Sequence, residues 1–186
     1  MASVLQNKIN VFETDLLRSL IDRGSDLLGV RYGQSQPGDV SLRIIADHVR
    51  SATFLISDGI IPSNEGRGYV LRKIMRRGIR QGTLLGHKEP FLHSMSGHVV
   101  ELMQDAYPDL VARREYVSRV VESEERRFSA TVSVAVGKLE EIAEKTLAAG
   151  SDVIGGEDVF KLYDTFGLPL DFIREISDEK TLGLDV

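Results

Sequence analysis

Residues 45–82 read IADHVRSATFLISDGIIPSNEGRGYVLRKIMRRGIRQG, and two helical stripes around this stretch decide the fold. Ile44, Ile45, His48, Val49, Ala52 and Leu55 recur at three- and four-residue spacing, the pattern of a helix with one buried face. IIPSN is a turn, and Ser63 or Asn64 is the expected cap of a second helix. On that helix Leu71, Ile74, Met75, Gly78 and Ile79 share one side. Arg72, Arg76 and Arg80 form an i, i+4, i+8 row on the other, with Lys73 and Arg77 beside it. No acid stands between Gly66 and Gln81. Surface helices normally interleave acids to offset such repulsion. A polyanion, or acidic residues elsewhere in the fold, must therefore compensate this row; a phosphate backbone is the favoured partner.

The flanking sequence is helical in the same way. Phe12, Leu16, Leu17, Leu20 and Ile21 precede a break at Gly24, followed by Leu27 and Leu28. RYGQSQPGD, residues 31–39, has loop composition, with Asp39 or Ser41 as the expected start of the next helix. Gly82 and Gly86 close the basic helix, and residues 90–105 read as another. After Pro108 a long helix is predicted as far as Gly150, about 58 Å over residues 111–149 if unbroken. Val132, Val134, Val136 and Gly137 are weak helix formers and mark a potential break. SDVIGGED is a turn, residues 159–166 form a short helix stopped by Gly167 and Pro169, and a last helix starts near Asp171. With no alternating strand and no internal repeat, the expected fold is all-α. It divides into helical subdomains of about 1–107 and 108–186, the long helix protruding or folding into an antiparallel hairpin.

Composition narrows the function. The 186 residues are 42% hydrophobic and 27% charged, with 17 Gly and 5 Pro, ordinary for a globular chain long enough to bury a core. The absence of cysteine excludes a disulfide scaffold, a thiolate zinc site and a cysteine nucleophile. No apolar run approaches the roughly 18 residues of a bilayer span, so no membrane partner is expected and the cytoplasm is the expected location. The net charge of −5 argues on its face against nucleic acid, but the average conceals its distribution. Residues 64–80 carry Arg67, Arg72, Lys73, Arg76, Arg77 and Arg80 against Glu65, a net of +5 in 17 residues, which leaves −10 for the remainder. An acidic body with one concentrated basic element points to a polyanionic partner.

The remaining motifs are weaker. PSNEGRGY, residues 62–69, lacks the third glycine and preceding strand of a dinucleotide fingerprint and the Gly-Lys-Ser/Thr of a P-loop. Gly66 and Gly68 are costly in a first helical turn unless the backbone approaches something closely. Asn64 alone reads more readily as a cap than as a reader of bases. Asp164, in FKLYDTFGLPLD (160–171), suits a local cap, an arginine partner or a functional acceptor. His48 reads as a core or interface histidine. His87, His93 and His98 lack metal-site spacing, no nucleophile elbow occurs, and ESEERR (122–127) reads as a solvated face. No catalytic or metal-binding constellation emerges.

Residues 45–82 together with FKLYDTFGLPLDF (160–172) closely resemble the helical tRNA-recognition segment of alanyl-tRNA synthetases, which follows the class II catalytic domain. VLQNKINVFETDLL (4–17) is similar to the stretch after the last catalytic motif of that family, whereas residues 83–150 match in helical character alone. The resemblance implies a middle segment, inactive by itself. ATP and magnesium would serve the adenylate-forming domain, zinc would serve the editing domain, and this segment would hold no cofactor. Its implied partners are the acceptor stem of tRNA(Ala) and the catalytic and editing domains of the parent enzyme. The family's two readers of a G·U wobble pair fall on Asn64 and Asp164. Such a pair leaves the guanine 2-amino group free in the wide minor groove of A-form RNA, where an amide or carboxylate oxygen can accept from it. Arg72, Lys73, Arg76, Arg77 and Arg80 would then hold the backbone, and Arg67 either backbone or bases. The alternative is a helical interaction module docking its basic helix on the catalytic domain or another acidic protein surface.

Overall fold

The computed structural model describes residues 2–166, 168 and 170–185. Among these, eight α-helices account for most of the chain: α1 (Ala2–Leu5), α2 (Asp15–Leu28), α3 (Gln36–Ser57), α4 (Gly66–Leu84), α5 (Leu92–Met103), α6 (Asp109–Ala148), α7 (Gly156–Asp164) and α8 (Leu170–Glu179). A 3-10 turn occupies Val11–Glu13, and two-residue strands β1 (Val153–Ile154) and β2 (Gly183–Leu184) pair in parallel. The all-α expectation holds, with those strands as an addition. Two residues are too few to print an alternation in sequence. The chain forms two compact units, Met1–Arg126 and Arg127–Val186.

The first unit is built around α3, which packs on α2, α4 and α5. Leu42, Ile45, Ala46, Val49, Ala52 and Ile56 make its buried stripe and meet Leu20 and Ile21 of α2, Leu71 and Met75 of α4, and Met95 and Val99 of α5 in one apolar core. Two buried hydroxyls of α3 are satisfied: Thr53 Oγ1 donates to the Val49 carbonyl at 2.8 Å, and Ser41 Oγ donates to Gln81 Oε1 at 2.8 Å, tying α3 to α4. The start of α3 lies earlier than Asp39 or Ser41. Ser35 is the cap, its Oγ accepting from the Gly38 amide at 3.2 Å, with Pro37 in the first turn. Pro pre-sets the helical φ there, so the serine ahead of it wins. Asp39 sits inside the first turn instead and accepts from the Gly33 amide at 2.6 Å. Likewise Gly24 does not break α2; it is buried against Leu42, and the helix runs on to a left-handed Gly29.

The boundary between units falls at 126/127 because residues 109–126 of α6 carry Leu110, Val117 and Val121 into burial and engage α4 and α5 through their acids, described below. In the second unit α6 continues without the break expected near 132–137. Phe128, Ala135, Leu139, Ile142 and Ala143 recur at helical spacing on its buried side, and this stripe outweighs the weak propensity. Val159 and Leu162 of α7, Phe172, Ile173 and Ile176 of α8, Ile154 and Leu182 complete that unit's buried set, with Phe128 and Phe172 edge to face at 5.6 Å. β1 and β2 align Val153 with Gly183 and Ile154 with Leu184, closing the α7–α8 pair. The stop assigned to Gly167 and Pro169 lies outside the described residues; α7 ends at Asp164. No helix among the described residues is long and apolar enough to cross a membrane.

Candidate nucleic-acid interface

The turn ahead of α4 is held by its own backbone. Ser63 N donates to the Gly68 carbonyl at 3.2 Å, and Ser63 Oγ donates to the Glu65 carbonyl at 2.8 Å. A Cβ at Gly68 would overlap Ser63 Oγ and the Ile61 carbonyl, so the close approach that this glycine serves is to the chain itself. The cap position of α4 is Glu65, which makes no side-chain cap bond, in place of Ser63 or Asn64. Asn64 is exposed and turned toward α4, where its Oδ1 accepts from Arg72 Nη1; Arg72 Nη2 donates to the Pro62 carbonyl at 3.3 Å.

The basic row is not the exposed face that its spacing suggested. Arg76 Nε donates to Glu124 Oε1 of α6 at 2.9 Å, and Arg72 Nε lies 3.3 Å from the same oxygen, within ion-pair range but off the line of a hydrogen bond. The side chains of Arg72, Arg76 and Glu124 are 14%, 13% and 3% exposed. Arg80 is buried, at 6%. The acid that offsets Arg72 and Arg76 is internal, and it lies 48 residues from Arg76 in sequence. On the surface remain Arg67 and Arg77, with Lys73 half-buried and its ammonium 5.8 Å from the Tyr69 ring centre. His48 of α3 lies along α4, its Cβ close to Gly78. Burial holds the His48 imidazole pKa below its usual range, nearby Arg77 acts in the same direction, and Asp47 opposes both.

ESEERR is likewise corrected. Glu122 pairs with Arg126 on the solvent side, but Glu124 and Glu125 are buried. Glu125 Oε1 accepts from the amides of Phe91 and Leu92 at 2.7 and 2.9 Å, so it closes the N-terminus of α5 as a charged cap supplied by another helix. A signal for this was present: 117, 121, 124, 125 and 128 continue one helical stripe, and the two acids occupy its core-facing positions.

Asp164 belongs to the second unit, as the last residue of α7. Val159 and Leu162 anchor this nine-residue helix, leaving Asp164 exposed with Phe160 (64%) and Tyr163 (52%) on the same outward side. Within that unit its carboxylate has no hydrogen-bond or ion-pair partner among the described residues. The structure thus gathers Asn64 and the six cations around α4 of the first unit, while Asp164 stands on α7 of the second. No group of three or more histidine, aspartate or glutamate side chains suited to a metal occurs among the described residues.

The model of the family tRNA synthetases class II (A) matches residues 1–186, and the chain belongs to that family. It is similar along its whole length to alanine–tRNA ligases: 46% identical over 186 residues to that of Desulforamulus reducens, 46% over 185 to that of Pelotomaculum thermopropionicum, and 50% over 186 to that of Magnetococcus marinus. Each alignment covers 100% of this chain and 21% of the relative, so the chain spans about a fifth of the length of these ligases.

Proposed function

We propose that these residues are the part of an alanine–tRNA ligase that recognises the acceptor stem of tRNA(Ala) and its G·U wobble pair. The observation that carries this reading is similarity to alanine–tRNA ligases across the entire chain. Asp164, exposed and acceptor-only, takes the free guanine 2-amino group in the minor groove. Asn64, which both donates and accepts, contacts the same pair. Arg67, Lys73 and Arg77 hold phosphates, positioning without specifying. Arg72, Arg76 and Arg80, engaged with Glu124 or buried, brace the helix that presents them. Activation of alanine with ATP and magnesium, and zinc-dependent editing, fall to other parts of the ligase, and the chain works in the cytoplasm alongside those domains. The competing reading, a basic helix docking on an acidic protein surface, meets the same finding: Glu124 engages Arg72 and Arg76 from within the chain, and Arg67, Lys73 and Arg77 serve either reading.

A titration of the chain with an acceptor-stem minihelix carrying G·U, against its G·C counterpart at two salt concentrations, tests this reading. A preference of about tenfold or more for G·U is expected, with affinity falling as salt rises. Equal affinity for the two minihelices at both salts removes the specificity claim.

A further inference from the structure

We infer that Arg72, ion-paired with Glu124, is the positioning residue that fixes which end of the Asn64 carboxamide faces the RNA; this rests on the reading of Asn64 given above. A carboxamide has two chemically opposite ends on a freely turning bond, so an exposed asparagine reads nothing reliably until something chooses between them. Arginine makes that choice without ambiguity, because a guanidinium only donates. Its bond to Asn64 therefore requires the oxygen to face Arg72 and leaves the NH2 outward. The second arm of the fork, on the Pro62 carbonyl, fixes the backbone that carries Asn64. The base of the fork lies beside Glu124 Oε1, and Arg76 holds that carboxylate from the next turn. Glu124 is 3% exposed, so the chain from α6 through Arg72 to the surface amide starts at a point screened from water and salt. Arg72 and Glu124 act on specificity without touching RNA.

The test uses the 186-residue chain as Arg72→Lys, Glu124→Gln and, for reference, Asn64→Ala, titrated with the G·U and G·C minihelices. Lysine keeps the charge of Arg72 but not the planar two-armed donor. Both positioning variants are expected to lower the G·U preference about fivefold with the slope of affinity against salt unchanged, while Asn64→Ala abolishes its share of the preference. Without RNA, the side-chain amide proton and nitrogen signals of Asn64 in NMR spectra should shift in Arg72→Lys and collapse toward those of a freely rotating asparagine. If Asn64→Ala loses discrimination and both positioning variants keep it within about twofold, the inference falls and the reading of Asn64 stands. If the unsubstituted chain does not discriminate, the reading of the site falls. The NMR signals then still decide the orienting role, which is overturned by Asn64 signals identical in the parent and Arg72→Lys. Should Glu124→Gln fail to fold, Arg72→Lys carries the test alone.

Discussion

The Asn64 region and the Asp164 region present a polar group in opposite ways. Asn64 stands at the end of a braced chain running from a buried glutamate through a two-armed arginine, on a turn stitched by backbone hydrogen bonds. Asp164, on the last turn of a nine-residue helix held by Val159 and Leu162, has no side-chain partner among the described residues of its unit. The difference follows from the chemistry of the two groups. The oxygens of a carboxylate are equivalent, so either can accept and no orientation need be enforced; an amide presents a donor at one end and an acceptor at the other. The group that needs orienting has the scaffold.

The sharpest way to break this contrast is to remove each support. Glu124→Ala leaves two mostly buried guanidiniums without their shared partner and should cost about 3–5 kcal/mol in a urea denaturation. Asp164→Ala, exposed and unbraced, should change stability by no more than about 0.5 kcal/mol in the same measurement. Next in size is Asp164→Asn, which keeps the shape but replaces an equivalent pair of acceptors by an amide whose two ends differ. The G·U over G·C preference should fall about tenfold in minihelix titrations, with the melting temperature unmoved. Smaller again is the split within α4. Arg77→Gln should lower the slope of log affinity against log salt by about 0.7–0.9, one phosphate's worth, whereas Arg76→Gln should leave the slope alone and weaken folding.

The smallest effect expected is a titration. His48 has its pKa depressed in the folded chain, so between its ordinary value and the folded one the unfolded state binds more protons. The contribution of this group is complete above about pH 6.5, declines as the pH falls through that point, and levels off once the folded imidazole is protonated too. Thermal melts at about pH 7.5 and about pH 5.5 should show this loss in the parent and its absence in His48→Gln. The exposed carboxylates with depressed pKa values, Glu101 beside Arg114 among them, act only in more acidic solution and leave this window clear.

Much of this was legible in residue spacing. The stripes of α3 and α4 and the long helix follow from periodicity, whereas Asn64 and Asp164 stand out through the family resemblance and not through spacing. What periodicity could not supply was the partner of a charge. Arg72 and Arg76 looked outward because their own helix holds no acid, and Glu124, 48 residues beyond Arg76, is invisible to any local window. The acids of 122–127 looked solvated because composition was weighed ahead of their place on the stripe of Val117, Val121 and Phe128. Ser35 lost to Asp39 and Ser41 as a cap because the loop composition of 31–39 masked the effect of Pro37. The two-residue strands carry no pattern to read.

Glu125 has a consequence for how the chain is made. Synthesis proceeds from the amino end, and Leu92, whose amide Glu125 accepts, leaves the ribosome 33 residues ahead of it. Until that carboxylate emerges, the opening amides of α5 have only water to bond, and the first turn stays frayed. The first unit therefore gains its last capped helix late, when the opening half of α6 is available to finish what was begun more than thirty residues earlier.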